Sequence, residues 1–339
     1  MSINDVARHA GVSTASVSRT INSPDIVRPE LRTRVEAAIR DLGYIPSGAA
    51  RALASSQTRA VGAIVPTLDN AIFASGISSL QRRLAQMGYT LLVAASEYDL
   101  DQEVREAHAL LCHGVEGVML VGEAHAPALY NLLERYQLPF VNCWTYRASS
   151  DHPCIGFDNE GAARRLTEYL IDLGHRDIAM IAGVSQSNDR AQARIHGVRA
   201  ALAAIGSELA EQRFVEQPYG VADGRNGMSE LLNRCAQPPT AVICGNDVLA
   251  IGAIFECQSR GLEVPAAISI TGFDDLSISA HLQPGLTTVK VPSSEMGAKA
   301  ADFLVKRING ETTLLHTEIE TTLIVRGTTK SAVNRVVTT

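Results

Sequence analysis

The 339-residue sequence lacks any apolar run that approaches the roughly 18 to 20 uninterrupted residues of a transmembrane helix. Its opening residues, MSINDVARHAGVS, also lack the apolar core of a secretory signal peptide. These two absences argue against a membrane protein and against a secreted one. We therefore expect a protein that has no membrane partner and is located in the cytoplasm.

Cysteine is scarce, and its spacing does not indicate a disulfide or a metal site. The six cysteines include no CxxC pair and fall in or beside apolar segments, as reduced core cysteines do. His108, Cys112 and His113 lie within one predicted helical segment, but only His108 and Cys112 share a face. A zinc site there would need ligands from elsewhere, so we favour a buried cysteine beside surface histidines.

Nucleotide-binding and catalytic signatures are missing as well. No GxGxxG follows a predicted strand, no GxxxxGK[ST] loop occurs, and no spacing indicates a catalytic triad. We therefore predict no catalytic residue, no metal and no cofactor, and we expect that the chain is not an enzyme.

Lysine is absent from residues 1–59, yet this segment is the cationic part of the chain. Its eight arginines and five acidic residues give a net charge of +3, whereas the remainder carries −9 within a total of −6. A cationic head on an acidic body suits a protein of which only one end approaches phosphate. Chance is the alternative explanation for so small an excess.

The head is predicted to form three short helices around a small shared core. The residues at the helix ends are typical caps and stops: Ser2 with Asp5, Gly11, Ser13, Pro29 and Gly43. On the second helix, Thr14 to Asn22, the residues Val17 and Ile21 point the same way, which leaves the opposite face free.

That free face carries short polar side chains and one arginine: Thr14, Ala15, Ser18 and Arg19. Arginine can bond a guanine edge in two places, serine and threonine can contact phosphate or base, and alanine can touch a thymine methyl. The pattern suits a helix in the major groove of DNA, and an ordinary solvated helix face is the alternative.

From Ala60 onward, short apolar runs alternate with helical patterns. The runs are VGAIVP, TLLVAA, GVMLV, LPFVNC, DIAMIAG, TAVICG and ISITGF. This alternation predicts two doubly wound, Rossmann-like α/β lobes with ligand-facing loops at the carboxyl ends of the strands. The segment 47–59 is small and polar, with Leu53 as its single large apolar residue, which indicates a linker or a marginal helix.

The run INDVARHAGVSTASVSRTIN, followed by VRPELRTRVEAAIRDLGYIPSGAARALASSQTRAVGAIVP, closely resembles the head of the lactose-repressor family, which includes the lac and purine repressors. The resemblance continues through DNEGAARRLTEYLIDLGHRDIAMIAG, GNDVLAIGA, GLEVPAAISITGFDD and LTTVKVP, to about residue 327. It implies a sequence-specific DNA-binding transcription regulator, a repressor, whose operator affinity is controlled by a small effector. The implied fold is a small all-α helix-turn-helix head joined by a hinge to two lobes like those of periplasmic binding proteins.

The resemblance also implies domain boundaries. The DNA-binding head spans 1–46, the hinge 47–59, and the effector-binding and dimerisation domain 60–330. Lobe one takes about 60–158 and 291–320, and lobe two takes about 159–290 and 321–330.

Site residues follow from the resemblance position by position. The residues implied to contact DNA are Ser2, Thr14, Ala15, Ser18, Arg19, Asn22, Tyr44 and Leu53, of which Leu53 enters the minor groove from a hinge helix at 49–55. The residues implied to bind the effector are Asp69, Asn70, Ile72, Phe73, Trp144, Asp158, Arg190, Arg194, Tyr219, Asn246 and Asp274, with Arg194, Asn246 and Asp274 favoured most.

Several of these residues have structural alternatives. Arg194 on its own pattern is typical of a surface helix, Asp247 of a helix N-cap, and Asp274 of a turn. Phe73 and Trp144 fill the cleft wall as readily as they stack on a ligand.

The implied pocket departs from that of the purine repressor at Ile72 and at residues 188–190, which makes a purine effector a poor fit. The stretches VGAIVPTLDNAIFA, IGFDNEGAARR and AIFECQSRGLEVP look more like regulators of gluconate or related sugar-acid uptake, and Arg190 suits a carboxylate. We expect a sugar or sugar-acid effector and a homodimer on a pseudo-palindromic operator, because one recognition helix reads too few base pairs.

Two rival classes remain for comparison. A periplasmic sugar-binding protein would share the two-lobed body, but it predicts a signal peptide and no helix-turn-helix. An enzyme of sugar metabolism would turn over its ligand, so an activity assay would distinguish it.

Overall fold

The computed structural model describes residues 1–45, 57–69, 71–234 and 237–332. The chain divides into two compact units, Met1–Arg59 and Ala60–Thr339, and each is described by itself. The predicted hinge residue Leu53 and the predicted effector residue Asn70 lie outside the described ranges.

The first unit contains helices α1 (Ile3–Ala10), α2 (Thr14–Asn22) and α3 (Pro29–Leu42), with a short 3-10 turn over Pro24–Ile26. The predicted bounds of the second and third helices are confirmed. Their ends follow from local chemistry, since Ser13 caps α2 by accepting from the Ser16 amide and Gly43 ends α3 in the left-handed conformation. The small core is built from residues of all three helices: Val6, Ala7, Ala10, Val17, Val35 and Ala38.

The second unit begins with lobe one, a six-stranded parallel sheet in the order β11-β5-β4-β3-β1-β2. The strands are β1 (Ala60–Val65), β2 (Thr90–Ala95), β3 (Val118–Val121), β4 (Phe140–Cys143), β5 (Cys154–Gly156) and β11 (His316–Glu318). The helices that pack on this sheet or on one another are α4 (Ala74–Gln86), α5 (Leu100–Cys112), α6 (Pro127–Arg135) and α11 (Ser293–Ile308).

Lobe two is a four-stranded parallel sheet in the order β7-β6-β8-β9. Its strands are β6 (Ile178–Gly183), β7 (Phe214–Gln217), β8 (Ala241–Cys244) and β9 (Ser269–Thr271). Its helices are α7 (Asn159–Asp172), α8 (Asp189–Ala203), α9 (Val221–Arg234) and α10 (Asp247–Ser259). Two short strands, β10 (Thr288–Lys290) and β12 (Thr322–Ile324), form a separate antiparallel pair. In sequence, β10 precedes α11 of lobe one and β12 follows β11.

Parallel strands bring their carboxyl ends to one edge of a sheet, so the loops after β1, β2 and β4 of lobe one gather together, as do the loops after β6 and β9 of lobe two. The chain passes from lobe one to lobe two after β5 and returns to lobe one for α11 and β11. In the part of the chain that the structure describes, no helix is long and apolar enough to cross a membrane.

Candidate functional site

The exposed face of α2 in the head carries the residues predicted to contact DNA. Thr14, Ala15, Arg19 and Asn22 are exposed and Ser18 is partly buried, with its hydroxyl accepting from the Asn22 side chain at 3.3 Å. Val17 on the opposite face is fully buried. The helix is thus anchored by its apolar side and presents an arginine and short polar groups to solvent.

The other two described head residues of the prediction have additional structural contacts. Ser2 is the N-cap of α1, where its hydroxyl donates to Asp5 Oδ2 at 2.9 Å and accepts from the Asp5 amide. Tyr44 packs against the head core. For both residues, contact with the DNA backbone remains a prediction.

In the second unit, a small cavity lies between the lobes. It is lined by Ile72, Phe73, Tyr98, Trp144, Arg190, Arg194, Tyr219 and Asp274, and its volume is about 20 Å³. Seven of these eight residues are among those predicted to bind the effector. The volume suffices for about one water molecule, so a sugar-sized ligand requires the lobes to separate before it enters.

Arg194 and Asp274 form the polar side of this cavity. The Arg194 guanidinium donates to Asn159 Oδ1 at 3.0 Å and to the Gly245 carbonyl at 2.7 Å, and it stacks 3.7 Å above the Phe273 ring. Its remaining nitrogen lies 3.9 Å from Asp274 Oδ1. The guanidinium is therefore held in one orientation by contacts within lobe two, and it is not the surface helix arginine of the alternative interpretation.

Neither carboxylate oxygen of Asp274 has a hydrogen-bond partner among the described residues, although the side chain is buried. Burial raises the pKa of Asp274 to about 8, against the opposing effect of the Arg194 charge. At neutral pH the carboxyl is thus mostly protonated, and Arg194 keeps most of its positive charge uncompensated.

Trp144 forms the apolar wall on lobe one. It follows β4 with a left-handed φ of 62°, and its ring meets Phe73 edge to face at 5.2 Å. Gly76 on α4 makes room for it, because a Cβ at that position would collide with the indole ring. The buried indole Nε1 has no hydrogen-bond partner in the described chain, so it is an unused donor on a residue that lines the cavity.

Arg190 contacts the opposite lobe. Its guanidinium donates to the Val121 carbonyl of lobe one at 2.9 Å and pairs with Asp189 at 3.0 Å. The same Asp189 accepts from the Glu123 amide at 3.0 Å. Gly122, with φ of 88°, permits this approach, because a Cβ there would collide with the Arg190 guanidinium. We call these contacts of Asp189 and Arg190 with residues 121–123 the lobe bridge.

Tyr98 is the lining residue that the sequence interpretation missed. It stacks on Tyr219 with ring centroids 5.9 Å apart and planes inclined by 24°. The Tyr219 hydroxyl accepts from the Asn188 side chain at 3.1 Å. An aromatic residue three positions after the apolar run TLLVAA, in the loop at the carboxyl end of a strand beside β1, was the available signal for Tyr98.

The other described residues of the prediction lie outside the cavity. Asp69 is exposed. Asp158 is also exposed, caps α7 by accepting from the Gly161 amide at 2.9 Å, and lines a separate 490 Å³ cleft with Glu123. Asn246 is fully buried and caps α10 by accepting from the Leu249 amide at 2.8 Å. The structure brings none of these three to the cavity wall.

Besides the surface position of Arg194, two structural interpretations from the sequence are wrong. Asp247 is not the N-cap of α10, since Asn246 takes that position, and the buried Asp247 carboxylate instead accepts from Ser279 at 2.6 Å and from Leu276 at 2.7 Å. Cys112, the last residue of α5, is exposed rather than buried. The described residues contain no cluster of three or more His, Cys, Asp or Glu placed to hold a metal.

These observations define a class of protein, a DNA-binding transcription regulator with a helix-turn-helix head and a two-lobed body for a small ligand. Residues 2–47 match the bacterial regulatory proteins of the lacI family. Residues 58–331 match the periplasmic binding proteins and sugar binding domain of the LacI family. The chain belongs to the lacI family, whose members regulate transcription rather than catalyse reactions.

Individual relatives agree over nearly the full length. Catabolite control protein A of Priestia megaterium is 32% identical over 92% of this chain and 94% of that protein. The HTH-type transcriptional repressor PurR of Proteus mirabilis (strain HI4320) is 34% identical over 90% of each. The lac repressor dimer bound to operator and the anti-inducer ONPF gives a TM-score of 0.87 at 27% identity, and the match covers 97% of this chain and 99% of that one.

Proposed function

We propose that this regulator is controlled by a sugar acid of monosaccharide size that binds in the cavity between the lobes. The observation that carries the proposal is that one cavity is lined both by Arg194, whose charge is poorly compensated, and by polar groups that lack hydrogen-bond partners in the described chain. Asp274 offers a carboxyl for ligand hydroxyls and the Trp144 indole offers a donor for a ligand oxygen. A polyhydroxylated anion supplies the complement to all three groups.

Burial strengthens this preference. The carboxyl of Asp274 is mostly neutral at pH 7, because its pKa is about 8, so a ligand carboxylate meets little repulsion there. Charge-assisted hydrogen bonds from a guanidinium to a carboxylate are about twice as strong as bonds between neutral groups. Phe73 and Trp144 add apolar surface for the carbon-bearing face of a sugar. Gluconate is a suitable representative of the class.

We further propose that the protein acts as a homodimeric repressor in the cytoplasm and has no enzymatic activity. Thr14, Ala15, Ser18, Arg19 and Asn22 of each head read one half of a pseudo-palindromic operator, with Ser2 and Tyr44 on the DNA backbone. The similar lac repressor structure is a dimer bound to operator and to a small molecule, which supports this arrangement. Effector binding changes operator affinity because open and closed lobes differ in their affinity for the ligand.

A thermal-shift screen of the purified chain against aldonates, neutral sugars and sugar phosphates tests the effector class. A ligand at 100 times its Kd stabilises the folded state by about 2.7 kcal/mol, and only aldonates should give that shift. A hit then enters a titration of operator DNA followed by fluorescence anisotropy. A response to neutral sugars alone would refute the sugar-acid proposal and leave the DNA-binding function unaffected.

The Arg194→Lys variant distinguishes ligand binding in the cavity from a nonspecific attraction between the ligand and a positive charge. Lysine keeps the positive charge but cannot reproduce the two directed bonds to Asn159 and Gly245. We expect this variant to lose at least tenfold in aldonate affinity, whereas Arg164→Lys, on the exposed face of α7, should bind like the parent. Equal affinities for parent and Arg194→Lys would place the effector elsewhere.

A further inference from the structure

The loop after β2 has an unusual backbone. Glu97 and Tyr98 are consecutive non-glycine residues with left-handed φ values of 51° and 60°. This conformation is unfavourable for residues with a Cβ, and glycine would adopt it without that penalty. The chain therefore keeps two side chains where local conformation alone favours glycine.

Contacts on both sides hold this loop in place. The Ser96 amide donates to the Val65 carbonyl at 2.9 Å, and the Asp99 amide donates to the Ser96 carbonyl at 2.9 Å. The Asp99 carboxylate then caps α5 by accepting from the amides of Asp101 and Gln102 at 2.8 and 2.9 Å. The backbone on either side of Tyr98 is thus held by the strand before it and the helix after it.

The Tyr98 side chain lines the cavity and stacks on Tyr219 across the cleft. Tyr219 is fixed in turn, because Asn188 donates to its hydroxyl and because Gly183 has no Cβ to collide with its ring. One ring belongs to lobe one and the other to lobe two. Together they form one wall of the cavity, which we call the tyrosine wall.

We propose that Tyr98 is a specificity-determining residue, which through the tyrosine wall limits the effector to a single sugar unit. The proposal rests on the proposed function for its ligand class but makes a separate claim about ligand size. Because the present cavity holds about one water molecule, the lobes must close less far around any sugar, and the Tyr98 ring then limits the space between the tyrosine wall and the polar side. A second sugar unit needs the space of the Tyr98 ring, which is stacked on Tyr219 and whose backbone is held by the contacts of Ser96 and Asp99.

Two pairs of ligands separate size from charge. Gluconate and lactobionate are acids with one and two sugar units, whereas glucose and lactose are the neutral counterparts. We would measure the affinity of each for the full-length protein by isothermal titration calorimetry, in the parent, Tyr98→Phe, Tyr98→Ala and Tyr98→Gly. Phenylalanine preserves the stacked ring, alanine removes it, and glycine removes it and also relieves the backbone strain, which guards against a variant that fails to fold.

The expected result is a change in the ratio of affinities. The parent and Tyr98→Phe should prefer gluconate to lactobionate by at least a hundredfold, and in Tyr98→Ala and Tyr98→Gly this preference should fall at least tenfold. An unchanged size ratio in Tyr98→Gly would overturn the role of Tyr98 even if gluconate binds well. If the parent binds glucose but not gluconate, the sugar-acid proposal fails, and the glucose to lactose ratio then decides the size claim. A parent that binds none of the four ligands would overturn both proposals.

Discussion

Replacement of Asp274 by asparagine tests the electrostatic description of the cavity. The carboxyl has a folded-state pKa of about 8, raised from its ordinary value of 3.8 by burial. Because folding favours the protonated form, the group adds no penalty below about pH 4, and the free energy of unfolding decreases as the pH rises from there towards 8. Asparagine has nearly the same shape, tolerates a left-handed backbone and does not titrate.

The magnitude follows from the shift. One pKa unit corresponds to about 1.4 kcal/mol, so between pH 6 and pH 8 this carboxyl should remove about 2 kcal/mol from the stability of the parent. For a body of this size the melting temperature then falls by about 4 to 8 °C. We expect that fall in the parent and not in Asp274→Asn, measured by calorimetry or by circular dichroism without effector.

Asp158→Asn is the matched control. Asp158 is an exposed N-cap outside the cavity, and asparagine caps a helix equally well. Its melting temperature should follow the pH dependence of the parent. If Asp274→Asn shows the same pH slope as the parent and the control, the carboxyl of Asp274 is ionised throughout that range and the argument for an anionic ligand is refuted.

Three further predictions concern other parts of the molecule. Arg19→Ala should weaken operator binding by about 1 to 3 kcal/mol and relax sequence preference, measured by anisotropy with matched and mutated operators; unchanged preference would contradict the assignment of α2. Gly122→Ala should disrupt the lobe bridge and increase the radius of gyration in X-ray scattering, and an unchanged radius would show that the bridge does not hold the lobes together. Deletion of 1–59 should leave a folded body that still binds aldonates and no longer binds DNA, whereas an unfolded product would refute the division into two units.

The parts of the fold that the sequence predicts correctly are those that local chemistry decides. Ser13 sets the start of α2, and Pro29 and Gly43 set the two ends of α3, with effects that reach no further than one helical turn. The alternation of apolar runs with helical patterns likewise predicts the two α/β lobes, because each buried strand is a continuous apolar segment.

Short strands escape this kind of prediction. β10, β11 and β12 are each three residues long, and each pairs with a strand that is distant in sequence. β11 also lacks an apolar pattern of its own. In β11, for example, His316 pairs with Cys154. Nothing within the sequence HTE distinguishes β11 from a turn, because its strand conformation depends on its pairing with β5 at the edge of the sheet.

The candidate site shows the same limit. Tyr98 lines the cavity because its backbone is strained and Tyr219 lies opposite, and neither fact is visible within SEYD. The dipeptide Asn246-Asp247 permits a cap at either position. Tertiary contacts decide it, because Ser279 and Leu276 supply donors that engage the second residue and leave the first to cap the helix.

The return of the chain to lobe one has a consequence for biosynthesis. The sheet of lobe one is contiguous from β1 to β5, which ends at Gly156, but its edge is completed by β11 at 316–318. A ribosome that adds roughly 5 to 20 residues per second needs roughly 10 to 30 s to make that remaining stretch. During this time the β5 edge is open to any other extended segment, including that of a neighbouring nascent chain. Lobe one, although its synthesis begins first, is therefore complete at almost the same moment as lobe two.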